Sequence, residues 1–348
     1  MRLIAVLCAV GACYSQVHAE QARTGGDSVS SSNQLRAARA LLESGHVIEA
    51  EEAARAYLKT RNDSAEGHFL LGTILFRRIQ AEAVQSRPAP GKPELLRPDD
   101  QDFREGKARA SLAEFTEGAK YAKPSAGDLK IVAMDYVLLG SYADASKWLT
   151  QSLEWNPKDA EAWYYLGRSK YNENRFAEAI GAFSKCLALE PRNIKAESNL
   201  GLAYAGLNRV TEAAAAFHTA MEWESGSSRK IAEPYIGLGD LLLQQNRADE
   251  AVTNLEEAVR IDPRESRARE KLASAYLALK RPAEARNELE AAVELDPNRA
   301  SLHYLLASSY RQLGLADKAA GELRKFEELK ARDKPKHADS AQGEKKDH

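Results

Sequence analysis

The chain contains little cysteine, few aromatic residues and no excess of either charge. Three cysteines in 348 residues exclude a disulfide-based scaffold and a zinc module with several cysteine ligands. Lys and Arg number 49 and Asp and Glu 51, so the net charge of -2 argues against a nucleic-acid-binding surface spread over the whole chain. Aromatic residues make up 7%, and the middle of the chain is rich in Ala, Leu, Glu and Arg, which favours helices over strands.

No apolar run is long enough to cross a bilayer, which takes about 20 residues. The run from Leu3 to Cys13 follows a positive start at Arg2, and small residues stand at Val17 and Ala19. This pattern predicts a signal peptide over residues 1–19, cleaved after Ala19, and a polar linker over 20–30. The expected location is therefore outside the cytoplasm, either periplasmic or secreted.

A second interpretation of the N-terminus stays open. The segment from Val10 to Cys13 resembles the bacterial lipobox, in which the cysteine is lipidated and becomes the first residue. In that case Cys13 would anchor an outer-membrane lipoprotein.

A 34-residue period organises most of the remaining chain. The segment 160–193 resembles the tetratricopeptide repeat family at these positions: Trp163, Leu166, Gly167, Ala179, Phe183 and Pro191. Eight copies start at Ser31, Ala65, Ala126, Ala160, Ile194, Ala232, Ser266 and Ala300. The resemblance implies an all-α, right-handed α-solenoid of about eight helix-turn-helix units over residues 31–333, followed by a disordered charged tail over 334–348.

The shared repeat positions have physical reasons. Position 8 is always Gly or Ala and position 20 is Ala or Ser, as expected where two helices cross closely. Position 24 is Ala, Leu or Phe and is expected to fill the layer between helices. Position 15 is mostly Gly or Asn, which accept the left-handed backbone that ends a helix. Ser64, Ser125, Asp159 and Asn193 are predicted helix N-caps.

The second repeat carries an insertion at about residues 81–106. This repeat runs from Ala65 to Ser125 and is 27 residues longer than the period. Four prolines argue against one continuous helix: Pro88, Pro90, Pro93 and Pro98. The insertion is either an arm or flap beside a binding groove or a tolerated surface loop.

The sequence shows no constellation for catalysis. Nucleotide-binding, metalloprotease and serine-hydrolase motifs are missing, and the histidines lack metal-ligand spacing. Cys186 stands where the family usually has Ala, which predicts an inert core thiol. We therefore predict a non-enzymatic protein that needs no cofactor and no metal.

In the family that the chain resembles, the first helices of the repeats line a concave groove that binds peptides or partner helices. Positions 2, 5, 9, 12 and 13 would face it. The candidate binding residues are Phe69, Phe76, Arg77, Lys130, Met134, Tyr164, Arg168, Tyr171 and Asn199. This mixture of apolar side chains with Arg and Lys suggests an apolar peptide that carries carboxylates.

The carboxylate clamp by which some family members bind chaperone tails is incomplete. Asn199 fits one clamp position, whereas Tyr164 and Arg168 stand where the clamp needs Lys and Asn. The expected role is a periplasmic or envelope scaffold that binds one or more proteins or peptides, with no nucleic acid partner and no membrane span. The alternative role is a Cys13-anchored subunit of an outer-membrane, secretion or pilus assembly machine.

Overall fold

The computed structural model describes residues 27–85, 98–224 and 230–332, and in these ranges all regular secondary structure is helical. The signal peptide, Cys13, most of the linker, the prolines at 88, 90 and 93, and the tail predicted at 334–348 lie outside them. The chain divides into two compact units, of which the first ends at Ala196 and the second begins at Glu197. Each unit is a stack of antiparallel helix pairs, as in an α-solenoid.

Four helix pairs make up most of the first unit. They are α1 (Asp27–Glu43) with α2 (Val47–Thr60), α3 (Ala65–Gln85) with α4 (Pro98–Gly118), α5 (Ala126–Leu138) with α6 (Tyr142–Trp155), and α7 (Ala160–Asn172) with α8 (Phe176–Leu189). Four more pairs follow: α9 (Ile194–Gly206) with α10 (Val210–Glu224), α11 (Glu233–Gln244) with α12 (Ala248–Ile261), α13 (Ser266–Ala278) with α14 (Pro282–Leu295), and α15 (Ala300–Gln312) with α16 (Ala316–Arg332). The boundary between the units falls within α9.

The helix pairs match the eight predicted repeats, with differences at three places. The first helix begins at Asp27, inside the predicted linker. In the second repeat α3 continues to Gln85, and α4 begins at Pro98, so both helices extend into the predicted insertion. Proline is tolerated in the first helical turn because its missing N–H would have no intrahelical partner there.

Small residues allow the two helices of a pair to cross closely. A Cβ atom on Gly72 would lie 2.8 Å from the Phe115 ring, and one on Gly167 would lie 2.6 Å from the Phe183 ring. Both glycines stand at repeat position 8, and both phenylalanines stand at position 24 and are at most 1% exposed. The position-20 residues are buried in all eight pairs. These contacts confirm the roles that the period assigned to positions 8, 20 and 24.

Helix ends follow the predicted turn chemistry. Ser125 forms a capping box with Asp128, and Asp159 accepts a hydrogen bond from the backbone of Ala162. The side chains of Ser64 and Asn193 accept equivalent bonds from Gly67 and Ala196. Seven helix pairs turn through a residue with positive φ at position 15: Gly45, Gly140, Asn174, Asn208, Asn246, Lys280 and Gly314. The four predicted caps are confirmed.

Candidate functional site: the first-helix face

The first helices of consecutive repeats lie side by side in the first unit. Helix α1 contacts α3, α3 contacts α5, and α5 contacts α7. Residues four apart on a helix share a side, so positions 5, 9 and 13 of these helices form one surface. We call this surface the first-helix face; its exposed or half-exposed members are Arg39, Glu43, Phe69, Thr73, Arg77, Lys130, Met134, Leu138, Tyr164, Arg168 and Asn172.

An open groove of about 570 Å³ lies on this face between α1, α3 and the start of α5. Its lining includes Leu42, Phe69 and Thr73, from positions 12, 5 and 9 of the first two repeats. The exposed side chains of Arg39 and Glu66 form an ion pair of 2.6 Å, with one partner from each repeat. The cation in this groove is therefore already neutralised by a carboxylate of the protein.

The two predicted phenylalanines serve mainly in packing. The Phe69 ring stacks on Phe115 with their centroids 6.1 Å apart, and a Cβ atom on Gly118 would lie 2.6 Å from it. Phe69 therefore helps to hold α3 against α4 and presents only part of its surface to the groove. Phe76 is 5% exposed, so it lies in the core and offers a partner no accessible surface.

Lys130 is held by two acidic residues at the start of α7. Its ammonium lies 2.9 Å from Asp159 and 2.8 Å from Glu161. Burial alone would lower the pKa of Lys130, but the hydrogen bonds that it donates to Glu161 and Asp159 outweigh burial and raise that pKa. Its charge is matched within the protein, so Lys130 is a poor candidate for binding a foreign carboxylate.

Arg77 and Arg168 differ from Lys130 because they are exposed and form no ion pair with the described residues. The Arg77 guanidinium donates one hydrogen bond, to the side-chain oxygen of Gln80 at 3.2 Å. The Arg168 guanidinium lies 5.9 Å from the centre of the Tyr164 ring, a cation–π arrangement. Both guanidinium groups keep donors available for a carboxylate.

Aromatic and apolar side chains lie on the same helices as the two arginines. Tyr164 contacts the Phe183 ring, with centroids 6.1 Å apart, and Tyr171 meets the Phe176 ring edge to face at 5.4 Å. Met134 is half-buried, and Leu138, at position 13 of the third repeat, is 39% exposed. The sequence analysis did not select Leu138, although its position in the repeat was the available signal.

Asn199 lies on α9 in the second unit and is half-buried. The other eight predicted residues all belong to the first unit. The first-helix face is therefore described without Asn199, and a binding role for each of these residues stays a prediction.

The described residues contain no group of three or more His, Cys, Asp or Glu side chains placed to hold a metal ion. Cys186 is fully buried, and burial raises the pKa of its thiol to about 11, which keeps the thiol protonated at neutral pH. None of the described helices is both long and apolar enough to span a bilayer.

Comparison with known families decides the identity of the repeat. Four models of the tetratricopeptide repeat match the chain, at residues 35–83, 160–193, 193–264 and 242–308, and together they cover more than half of its length. The chain is a tetratricopeptide repeat protein. A search of curated proteins found no match.

Solved structures show the same tetratricopeptide repeat fold. A chain of the APC/C hetero-tetramer Cut9-Hcn1 is 16% identical with a TM-score of 0.57, over 88% of this chain and 54% of that one. The type IV pilus biogenesis factor PilW is 19% identical with a TM-score of 0.52, over 58% of this chain and 92% of that one. Pseudomonas aeruginosa pilF is also 19% identical, with a TM-score of 0.50, over 60% and 97%. At these identities the likeness concerns the fold alone.

Proposed function

We propose that this protein is a non-catalytic scaffold whose first-helix face binds an apolar peptide or helix that carries carboxylates. Tetratricopeptide repeats suit protein–protein interaction because stacked helix pairs offer a long, continuous binding surface. The observation that carries the proposal is that Arg77 and Arg168 are exposed and form no ion pair with any described residue, whereas Arg39 and Lys130 are already paired. Apolar contact at Met134 and Leu138 of this face, and at Tyr171 at position 12 of α7, would supply the remaining affinity.

A selection from a display library of random 12-residue peptides tests this proposal. The expected peptides combine Leu, Ile or Phe with Asp or Glu, and their binding weakens as salt concentration rises because the charge contacts are exposed. Peptides enriched in Lys and Arg, or binding that persists after both arginines are replaced by Gln, would contradict the proposal. A variant with Lys59 and Lys185 replaced by Gln is the control, since these exposed cations lie on the second helices α2 and α8.

We further propose that the chain is exported and that the signal peptide is removed after Ala19. Support comes from the apolar run, its positive start and the small residues before the cleavage site. The mass of the protein purified from its native cells tests this point. A mature chain that begins at Glu20 is expected, and one that retains Met1 or Arg2 would contradict export by this route.

The alternative is a lipid-anchored subunit of an assembly machine. The lipobox-like segment ending at Cys13 favours it, as does the type IV pilus biogenesis factor PilW among the solved structures with this fold. Labelling of cells with a fatty-acid analogue distinguishes the two cases. A labelled band that disappears in Cys13→Ser supports the anchor, and an unlabelled protein excludes it.

A further inference from the structure

Asp135 is a carboxyl group buried in the core of the first unit. It lies at position 10 of α5 and is 0% exposed, and neither carboxyl oxygen has a hydrogen-bond partner among the described residues. Six other repeats bury an apolar residue or Ser at this position: Ile74, Ser169, Ala203, Leu241, Ala275 and Ser309. Asp135 therefore places an acid where the fold ordinarily places a small or apolar side chain.

The surroundings of Asp135 cannot balance a negative charge. Helix α5 packs against α3, α4, α6 and α7, and no Lys, Arg or His of these helices bonds to Asp135. The hydroxyl of Ser111 on α4 faces it, but that hydroxyl donates its single proton to the carbonyl of Gly72 at 3.0 Å. Four partly buried charged groups of these helices bond elsewhere: Arg78 and Lys107 to Glu51, Glu114 to His68, and Lys170 to Glu173 and Glu178.

Among the described residues, no positive charge favours ionisation of Asp135. Burial, and then the charges of Asp144 at the start of α6 and of Asp135, raise the pKa of Tyr136 on α5, so this phenol is uncharged at pH 7. Burial raises the pKa of Asp135 to about 8, against the small lowering effect of Ser111. The neutral acid is therefore the form that the closed core accommodates at pH 7.

We propose that Asp135 is a pH-sensitive switch in the packing of α5, the helix that carries Lys130 and Met134 on the first-helix face. When the carboxyl ionises, the core holds an uncompensated charge, and the structure relieves it by opening the contacts of α5 with its neighbours. The consequence for peptide binding rests on the proposed function, whereas the packing of α5 does not. Urea denaturation and hydrogen exchange report on the packing of α5 and not on peptide binding, so a negative result would leave the proposed function uncontradicted.

The direction with pH follows from proton binding. Between the unfolded pKa of an aspartate, near 4, and the folded value of about 8, the folded chain holds a proton that the unfolded chain has released. The free energy of unfolding therefore falls as pH rises through this window. The unfolding equilibrium constant rises by up to about tenfold per pH unit, and the contribution of Asp135 no longer changes above about pH 8. Buried Glu224 in the second unit, whose pKa burial also raises, acts in the same direction. The contribution of Asp135 is therefore measured as the difference in the pH dependence of stability between wild type and an Asp135 variant.

Urea denaturation and amide hydrogen exchange of residues 126–138 from pH 5 to 9.5 test the switch. Wild type should lose stability with rising pH more steeply than Asp135→Asn, and exchange in α5, corrected for its intrinsic pH dependence, should rise from pH 5 and level off above about pH 8 in wild type alone. Asp135→Ala is the second variant, because Ala203 and Ala275 show that this position accepts Ala. Glu154→Gln, at an exposed residue of α6, should behave as wild type. Equal pH dependence in wild type, Asp135→Asn and Asp135→Ala would overturn the proposal.

Discussion

Gly167 illustrates how tightly single residues are constrained where two helices of a repeat cross. A Cβ atom there would lie 2.6 Å from the Phe183 ring, which is 0% exposed and has little room to move. We expect Gly167→Ala to reduce the free energy of unfolding by about 1–3 kcal/mol, measured by urea denaturation.

Gly181 provides the matched control for this substitution. It is an exposed glycine within α8, and a Cβ atom there would meet nothing within 4 Å. Gly181→Ala should stabilise the protein by about 0.5–1 kcal/mol because Ala loses less backbone entropy in a helix. A stabilising Gly167→Ala would show that the crossing is looser than the structure indicates.

Lys280 is the exception among the hairpin turns of the array. It has φ of +58°, where six other pairs have Gly or Asn. A Cβ atom is unfavourable in this conformation, so Lys280→Gly should raise the free energy of unfolding by about 0.5–1 kcal/mol. Lys185→Gly, at an exposed residue inside α8, should lower it by a similar amount. A destabilised Lys280→Gly protein, in a thermal or urea melt, would refute this explanation.

The sequence predicted residue roles wherever the repeat constrains them. Gly72, Gly167 and the four N-caps were assigned correctly because the same close helix crossing and the same type of helix start recur from repeat to repeat. Asp135 was not singled out, because its burial follows from its repeat position but its lack of a partner depends on side chains of four neighbouring helices.

At the scale of elements, the same pair of side-chain contacts recurs in three repeats. A residue near the start of the first helix bonds to a backbone carbonyl before that helix and to a glutamate of the second helix in the same repeat. In the last repeat, Nε2–H of His303 donates to the Pro297 carbonyl at 2.9 Å, and Nδ1 lies 2.6 Å from Glu322. His68 makes the same two contacts, with Asn62 and Glu114. In the seventh repeat, Arg269 bonds to the Pro263 carbonyl and to Glu288.

These recurrent contacts predict that Arg can take the place of His303 in the last repeat. His303→Ala should cost about 2–4 kcal/mol of unfolding free energy, since it leaves a cavity and an unpartnered Glu322. His303→Arg should recover at least half of that loss, because Arg269 meets the same two acceptors. His218→Ala, at an exposed residue of α10, should change stability by less than about 0.5 kcal/mol. Equal losses in the Ala and Arg variants, measured by urea denaturation, would contradict a shared role.

Helix boundaries were predictable to within a few residues except around the insertion. Of the four prolines that argued against one continuous helix, only Pro98 lies among the described residues, at the start of α4. The prolines did not show how far each helix extends, because residues 81–85 continue a helical pattern and Pro98 is compatible with a helix start. The histidines were judged structural from their lack of ligand spacing, and the contacts of His68 and His303 agree.

At the scale of the whole molecule, function depends on which charges of the first-helix face remain available. The sequence selected Lys130, Arg77 and Arg168 alike as candidate cations. The structure separates them because the acids that neutralise Lys130, Asp159 and Glu161, lie about 30 residues further along the chain, at the start of α7. Composition and spacing cannot show such pairing, so the distinction between paired and available cations required the structure.

A charge-exchange binding experiment tests the central claim most directly. A peptide selected from the display library is titrated against wild type, against Arg77→Glu with Arg168→Glu, and against the control with Lys59→Glu and Lys185→Glu. We predict that the first double variant binds at least about tenfold more weakly, about 1.4 kcal/mol, with an unchanged urea midpoint. Changing the peptide's Asp and Glu to Lys should restore its binding to that variant. Unchanged affinity in the Arg77→Glu, Arg168→Glu protein, or an equal loss in the control, would contradict the account.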